Sequence, residues 1–261
     1  MKKSYQEINS KIINNWAKNG WEWGKPISAE IFYKAKMGEY SIFLTPLKPM
    51  PKAWLEPFLK NNRLDGVSVL GLASGGGQQM PIFAALGATV TILDFSDAQL
   101  ESDKMVAKRE GYAIEIVKAD MSKTLPFDAN SFDIICHPVS NCYVEEVEPI
   151  WRECHRILKP GGLLLAGMDN GFSFIVDSKD SLQIVHKLPY NPLKDRELYK
   201  KAIKNNDGIQ FSHTLEEQIG GQLKAGLTLT HLYEDTDGIG GISEYIPLYI
   251  ATRSINPLTN S

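Results

Sequence analysis

An α/β fold built on a mostly parallel sheet is the architecture this sequence predicts, and three observations carry the prediction. Short apolar runs, "VSVLGLA", "ATVTILD", "AIEIVKAD", "FDIICHP" and "GGLLLAGMD", recur from Val67 onward. Helix-length segments separate them, the pattern of βαβ units whose strands are covered on both faces. The first run leads directly into "ASGGGQQMP", a strand-to-helix turn with bare backbone. The composition agrees: 261 residues, 43% hydrophobic, 23% charged and a net charge of −3 suit a globular chain with one substantial core.

In chain order, residues 1–64 are aromatic (Trp16, Trp21, Trp23, Phe32, Tyr33, Tyr40, Phe43, Trp54, Phe58) and punctuated by Pro46, Pro49, Pro51 and Pro57. Helices and turns that cap the main domain are expected there. Residues 65–170 form the ligand-binding core. Within it, Asp97 to Glu110 predicts a helix stopped by Gly111, and Val147 to Leu158 predicts one with a basic last turn before "KPGG". Residues 171–210 break the rhythm and read as an insertion after the fifth strand, a candidate substrate cap. Residues 211–261 complete the core with a helix from about Leu215 to Ala225, strands at "LTLTHLYE" and "IPLYIATRS", and a turn at "DGIGG". With no long helix between them, these two strands are expected to pair antiparallel.

Composition disfavours several function classes. Near-neutral charge gives no broad basic face for nucleic acid, and no apolar run approaches the ~20 residues of a membrane span. The stretch "MKKSYQEINSKIINNW" lacks the apolar core and cleavage pattern of a secretory leader. Cys136, Cys142 and Cys154 fit neither a disulfide framework nor paired zinc spacing, so a cytoplasmic location is expected. The five histidines show no HExxH-like spacing, and no metal is expected.

The glycine loop places backbone N–H groups and a helix start around a concavity suited to the polar end of a ligand. Asp94 ends the second apolar run, where a carboxylate can accept both hydroxyls of a ribose. Asp120 ends the third, where it and the Met121 backbone can read the amino edge of adenine. Ligands of open α/β sheets bind beyond the carboxyl ends of the strands, so loop and acids face one crevice. A dinucleotide oxidoreductase would need GxGxxG, which Gly75, Gly77 and Met80 do not complete. Leu72 stands where a serine-nucleophile elbow needs glycine, and no GK[ST] follows for a Walker-type phosphate loop.

Together "VLGLASGGG", "VTILDFSDAQL", "KADMSKTLPFDANSFDII" and "WRECHRILKPGGLLLAG" resemble the class I S-adenosylmethionine-dependent methyltransferases, near the ubiquinone/menaquinone-biosynthesis branch, over about Val67 to Gly167. The resemblance implies a Rossmann-like, doubly wound, seven-stranded sheet, mostly parallel with an antiparallel last strand. It implies S-adenosylmethionine as cofactor, with methionine-end contacts from Ala73, Ser74, Gly75 and Gly77, ribose contact from Asp94, and adenine contact from Asp120 and Met121. Gln79, Phe95 and His137 complete the expected cofactor set. Two positions depart from the family pattern: Gly71 stands where an acid is usual, and Ala73 where glycine is usual. Gln78 and Gln79 are candidates for replacement polar contacts.

Methyl transfer displaces a leaving group from an already activated donor, so the protein must mainly hold the acceptor close and exclude water. A base is needed only where the nucleophile has a proton to lose. After the fourth strand, "ICHPVSNCYVEE" offers His137 to polarise or deprotonate the acceptor, with Asn141 and Tyr143 nearby. The alternative for His137 is a hydrogen-bonded strand-end residue. Amino-methylating relatives that act on nucleic acids or protein carry an Asn/Asp-Pro-Pro-aromatic motif, matched here only at Pro138. A small-molecule acceptor therefore ranks above RNA or protein. Trp16, Trp21 and Trp23 are candidates to roof an acceptor or simply to pack. Lys194, Arg196, Lys200, Lys201 and Lys204 form either an acidic-substrate site or a solvated helix face. The competing reading is a noncatalytic module that holds S-adenosylmethionine or its demethylated product.

Overall fold

The computed structural model describes residues 4–176 and 182–258; the parts of the expected cap, insertion and C-terminal completion at 1–3, 177–181 and 259–261 lie outside the described residues. Seven strands form one sheet: β1 (Ser68–Leu72), β2 (Thr89–Asp94), β3 (Ile114–Lys118), β4 (Phe132–His137), β5 (Leu158–Asp169), β6 (Thr228–Asp235) and β7 (Tyr249–Ile255). Their order is β3-β2-β1-β4-β5-β7-β6. The first five run parallel, and β7 lies antiparallel between β5 and β6. The strand order reverses between β1 and β4, which opens a crevice at their carboxyl ends.

Side chains alternate across each strand and feed two cores. Val69, Ile92, Ile134 and Cys136 pack with Met80, Phe83 and residues of the N-terminal segment. Leu70, Leu72 and Ile135 pack on the other face with Ile150, Trp151 and Cys154. The strand β3, expected to be covered on both faces, instead forms a sheet edge with Glu115, Ile116 and Lys118 exposed.

The N-terminal segment carries α1 (Tyr5–Lys18) and α2 (Ala29–Lys36). Ser4 and Glu7 close a reciprocal capping box on α1. Buried Asn9 then staples α1 to a segment 200 residues further along the chain, its Nδ2 donating to Ile209 O at 2.9 Å and its Oδ1 accepting from Ile209 N at 2.7 Å. The core helices α3 (Gln79–Ala85), α4 (Asp97–Glu110) and α5 (Glu148–Ile157) follow, and α4 stops at Gly111 in the left-handed region, φ +72°. Asn14 of α1 caps α4 from outside: its Oδ1 accepts from Ser96 Oγ and Ala98 N at 2.8 Å each.

The insertion contains α6 (Arg196–Asn205), capped by Asp195. A π-helical turn at Glu216–Gly220 runs into α7 (Gly221–Lys224), where one continuous helix is expected from the sequence. Gly167 of β5 has a separate duty. A Cβ there would stand 1.9 Å from Leu44 O, so only a bare strand lets the 43–46 segment lie across the strand ends. Val139 N donates to that same Leu44 carbonyl at 3.2 Å.

Candidate functional site

A cavity of about 680 Å³ opens at the carboxyl ends of the parallel strands, a size suited to a small-molecule site. Ala73, Ser74, Gly75, Gln79, Asp94, Phe95, Asp120, Met121 and Tyr143 all line it. The cap supplies the opposite wall, including Trp16, Trp21 and Trp23; Trp16 packs on Trp21 at 5.3 Å and on Tyr143 at 6.5 Å. Packing and lining are therefore one role for this trio. Of the cluster Lys194, Arg196, Lys200, Lys201 and Lys204, Lys201 alone reaches the wall, while Lys200 pairs with Glu197 at 2.7 Å.

Asp94 organises the loop as well as facing the cavity. Its Oδ2 accepts from Gly75 N at 3.0 Å and its Oδ1 from Ser96 N at 2.8 Å. Burial pushes its carboxyl above the usual range, and the backbone donors of Ser96, Gly75 and Phe95 oppose that rise. A Cβ on Gly75 would lie 2.6 Å from Gln99 Cβ and 2.9 Å from Asp94 Oδ2. Ala73 takes φ +47°, the left-handed conformation for which glycine is the usual residue. Ser74 Oγ donates to Gln79 Oε1 at 3.3 Å, and Gln79 Nε2 to Phe43 O at 3.1 Å. Gln78 also lines the cavity, and its Nε2 donates to Glu22 O and Lys25 O, which ties the cap to α3.

Three expectations need correction. Gly77 does not line the cavity. Its N–H and that of Gly76 donate to Oδ2 of Asp103 on α4, at 3.1 and 2.9 Å. The cap crosses the loop there, so that a Cβ on Gly76 would stand 2.8 Å from Trp23 O and one on Gly77 3.2 Å from Pro26 Cβ. Two of the three glycines thus serve the chain's own packing.

His137 and Asn141 are the second and third corrections. Both are fully buried and neither lines the cavity. Strand alternation explains this: Cys136 points into the core on the cap side, so His137 points to the α5 side, edge-on to Trp151 at 5.8 Å. Its Nδ1 lies 2.8 Å from Leu72 O and its Nε2 2.8 Å from the Asn141 side chain, which reaches Gln218 at 2.8 Å. Burial holds the imidazole pKa below its ordinary value. The ring braces β1 against the loop after β4, with Nδ1 on Leu72 O and Nε2 on Asn141 Oδ1.

Sequence reading missed Asp103 and Asp169. Asp103 is fully buried, and burial pushes its carboxyl up to about 7. No local signal marks it, because one acid inside a charged helix looks solvated. An acid raised in the folded state keeps its proton while the unfolded chain has lost it, so stability falls as pH rises through the folded pKa. Between about pH 6 and 8 that amounts to about 1.4 kcal/mol from Asp103. Urea denaturation of the chain and of Asp103→Asn should show the wild-type loss flattened by that amount in the variant.

Asp169 is the last residue of β5, is 4% exposed and lines the cavity. The strand-end rule that finds Asp94 and Asp120 applies equally to it. Among the described residues, no group of three or more His, Cys, Asp or Glu side chains is placed to hold a metal. No described helix is long and apolar enough to cross a membrane.

Comparison with known proteins gives a consistent result. Residues 70–166 match the methyltransferase domain family. The uncharacterized methyltransferase YbaJ of Bacillus subtilis (strain 168) is 42% identical over 253 residues, 95% of this chain and 96% of that protein. The sterol 24-C-methyltransferase erg6 of Aspergillus fumigatus is 27% identical, over 70% of this chain and 46% of its own length. The ubiquinone biosynthesis O-methyltransferase of Pseudomonas syringae pv. tomato is 29% identical, over 46% of this chain and 50% of its own length. Matches to these two span only about half of each relative. Among solved structures, an S-adenosylmethionine-dependent methyltransferase from Mesorhizobium loti superposes with a TM-score of 0.57 at 20% identity, covering 77% of this chain and 94% of that one. The [4+2]-cyclase SpnF superposes with a TM-score of 0.52 at 16% identity, covering 75% and 77%.

Proposed function

Because this chain belongs to the class I S-adenosylmethionine-dependent methyltransferases, we propose that its cavity carries methyl transfer to a small-molecule acceptor. The observation that supports this most is the continuity of one cavity: the glycine loop, Asp94 and Asp120 share it with the aromatic wall of Tyr143, Phe174 and Tyr249.

The residues present suit the cofactor chemically. Asp94 and Asp120 are acceptors for hydroxyl and amino donors, Met121 and Leu93 offer apolar surface to a base, and Gly75 is bare where a Cβ would collide. In this reading Asp94 holds the ribose, Asp120 and Met121 the adenine, and Ala73 to Gly75 with Gln79 the methionine end. When bound, the cofactor supplies an electrophilic methyl group on a sulfonium. The chain's own residues orient that group, face its positive charge with aromatic rings, and exclude water beneath the cap. Cys136, Cys142 and Cys154 are free buried thiols, which suits the reducing cytoplasm.

Enclosure by the cap and the names of the sterol and ubiquinone relatives favour a small acceptor over RNA or protein. The fold is also that of a cyclase, so fold alone does not name the reaction. Incubation with methyl-labelled S-adenosylmethionine and a metabolite extract tests the reading. Label is expected in a low-molecular-weight product, with S-adenosylhomocysteine released in equal amount. Tight cofactor binding with no transfer would instead favour the noncatalytic module.

A further inference from the structure

Resting on that reading, we propose that Asp169 accepts the proton of the methyl acceptor, so that the methylated atom is an oxygen or nitrogen bearing hydrogen on a flat, largely apolar molecule. The Asp169 Oδ1 accepts from Gly171 N at 3.0 Å, whereas Oδ2 is buried without a hydrogen-bond partner among the described residues. A buried carboxylate oxygen left unpaired is costly, and an O–H or N–H brought into the cavity would satisfy it. An ether oxygen or an alkene carbon has no such hydrogen to offer.

The surroundings agree with a proton acceptor at this place. Asp169 is registered opposite Tyr249 on β7, and Tyr249, Tyr143 and Cys142 stand with it on the cavity wall. Burial raises all three of these neighbours well above neutrality, so they remain uncharged. Asp237 on the β6–β7 loop helps to raise Tyr249, and His186 and Lys201 belong to the wall formed by the insertion. Burial also pushes the Asp169 carboxyl up to about 7, the range in which a general base works best at neutral pH. The rings of Tyr143, Phe174, Tyr190 and Tyr249 give a planar acceptor apolar faces to lie against.

The step balances without a further reagent. The acceptor heteroatom uses a lone pair to form its bond to the methyl carbon of the sulfonium donor. The carbon–sulfur bond breaks with its electron pair on sulfur, giving a neutral thioether. The proton of the acceptor passes to Asp169 Oδ2.

The test uses the full chain loaded with S-adenosylhomocysteine and four probes: phenol, aniline, anisole and styrene. Phenol and aniline should bind at least about tenfold more tightly than anisole and styrene, a difference of about 1.4 kcal/mol. In Asp169→Asn, which retains an oxygen for Gly171 N, that preference should fall below about threefold while cofactor affinity stays within about twofold. With labelled donor, methyl should reach phenol or aniline only. Turnover should fall about 100-fold in Asp169→Asn, and the wild-type rise in rate through about pH 7 should vanish. Equal binding of phenol and anisole overturns the assignment whatever the turnover, as does an unchanged pH profile in the variant. Transfer to none of the probes with the binding preference intact supports the acceptor contact but overturns the transfer step, which separates this inference from the reading beneath it.

Discussion

Gly71→Asp, which restores the acid usual in the family, is expected to destabilise the folded chain by about 4 kcal/mol or more. At Gly71 on β1 a Cβ would lie 2.8 Å from Met80 Cγ, 2.9 Å from Met80 Sδ and 2.8 Å from Ile92 Cδ1. Forcing one carbon into that packing costs about 1 to 3 kcal/mol by itself. The carboxylate would then sit among Met80 and Ile92, fully buried in the core on the cap side, and must either stay protonated or lose its hydration. Stabilities of whole domains are about 5 to 15 kcal/mol, so the variant approaches the limit of folding at all. Urea denaturation measures the loss. A Met80→Ala background provides the control, because removing that side chain opens the colliding space. There, the same substitution should cost at least about 1 kcal/mol less, and strict additivity would refute the packing explanation. In this chain Met80 occupies the space that an acid would claim, which makes Gly71 a packing solution rather than a missing contact.

Asp94→Ala is expected to weaken S-adenosylmethionine binding about 100-fold, read by calorimetry. A charged hydrogen bond to a ribose hydroxyl accounts for about 1.5 to 3 kcal/mol of this. The same change frees Gly75 N and Ser96 N, each now held by the carboxylate within 3.0 Å, and so loosens the loop that shapes the site. Asp94→Asn separates the two effects. Its side-chain oxygen can still accept one of these N–H groups, so it should recover part of the affinity. Equal binding by wild type and Asp94→Ala would remove this residue from the cofactor site.

Much of the fold was legible because its signals are local. Gly111 ends α4 where a left-handed stop was expected, and α5 falls within one residue of its expected ends. The apolar runs became strands of one sheet, with the final pair antiparallel. Asp94 and Asp120 reached the cavity because parallel strands carry their carboxyl ends to the same side. The failures share a different cause. His137 lies one position beyond Cys136, and a period of two sent it to the opposite face from the one a strand-end motif suggests. Gly76 and Gly77 look like ligand-binding backbone until the cap at Trp23 to Pro26 and the Asp103 carboxylate are seen against them.

The amino-acid sequence by itself determined the strands, the helix stops, the parallel topology and the two acids at β2 and β3, since periodicity and turn chemistry act over a few neighbouring residues. Tertiary structure alone decided which groups are buried and what they face. It moved His137 and Asn141 beneath the floor, gave the loop N–H groups of Gly76 and Gly77 to Asp103, filled the space beside Gly71 with Met80, and left Asp169 Oδ2 buried without a partner among the described residues. Each of these depends on chain segments tens of residues apart closing on one another, and desolvation, which sets the charge state of such groups, exists only after that closure.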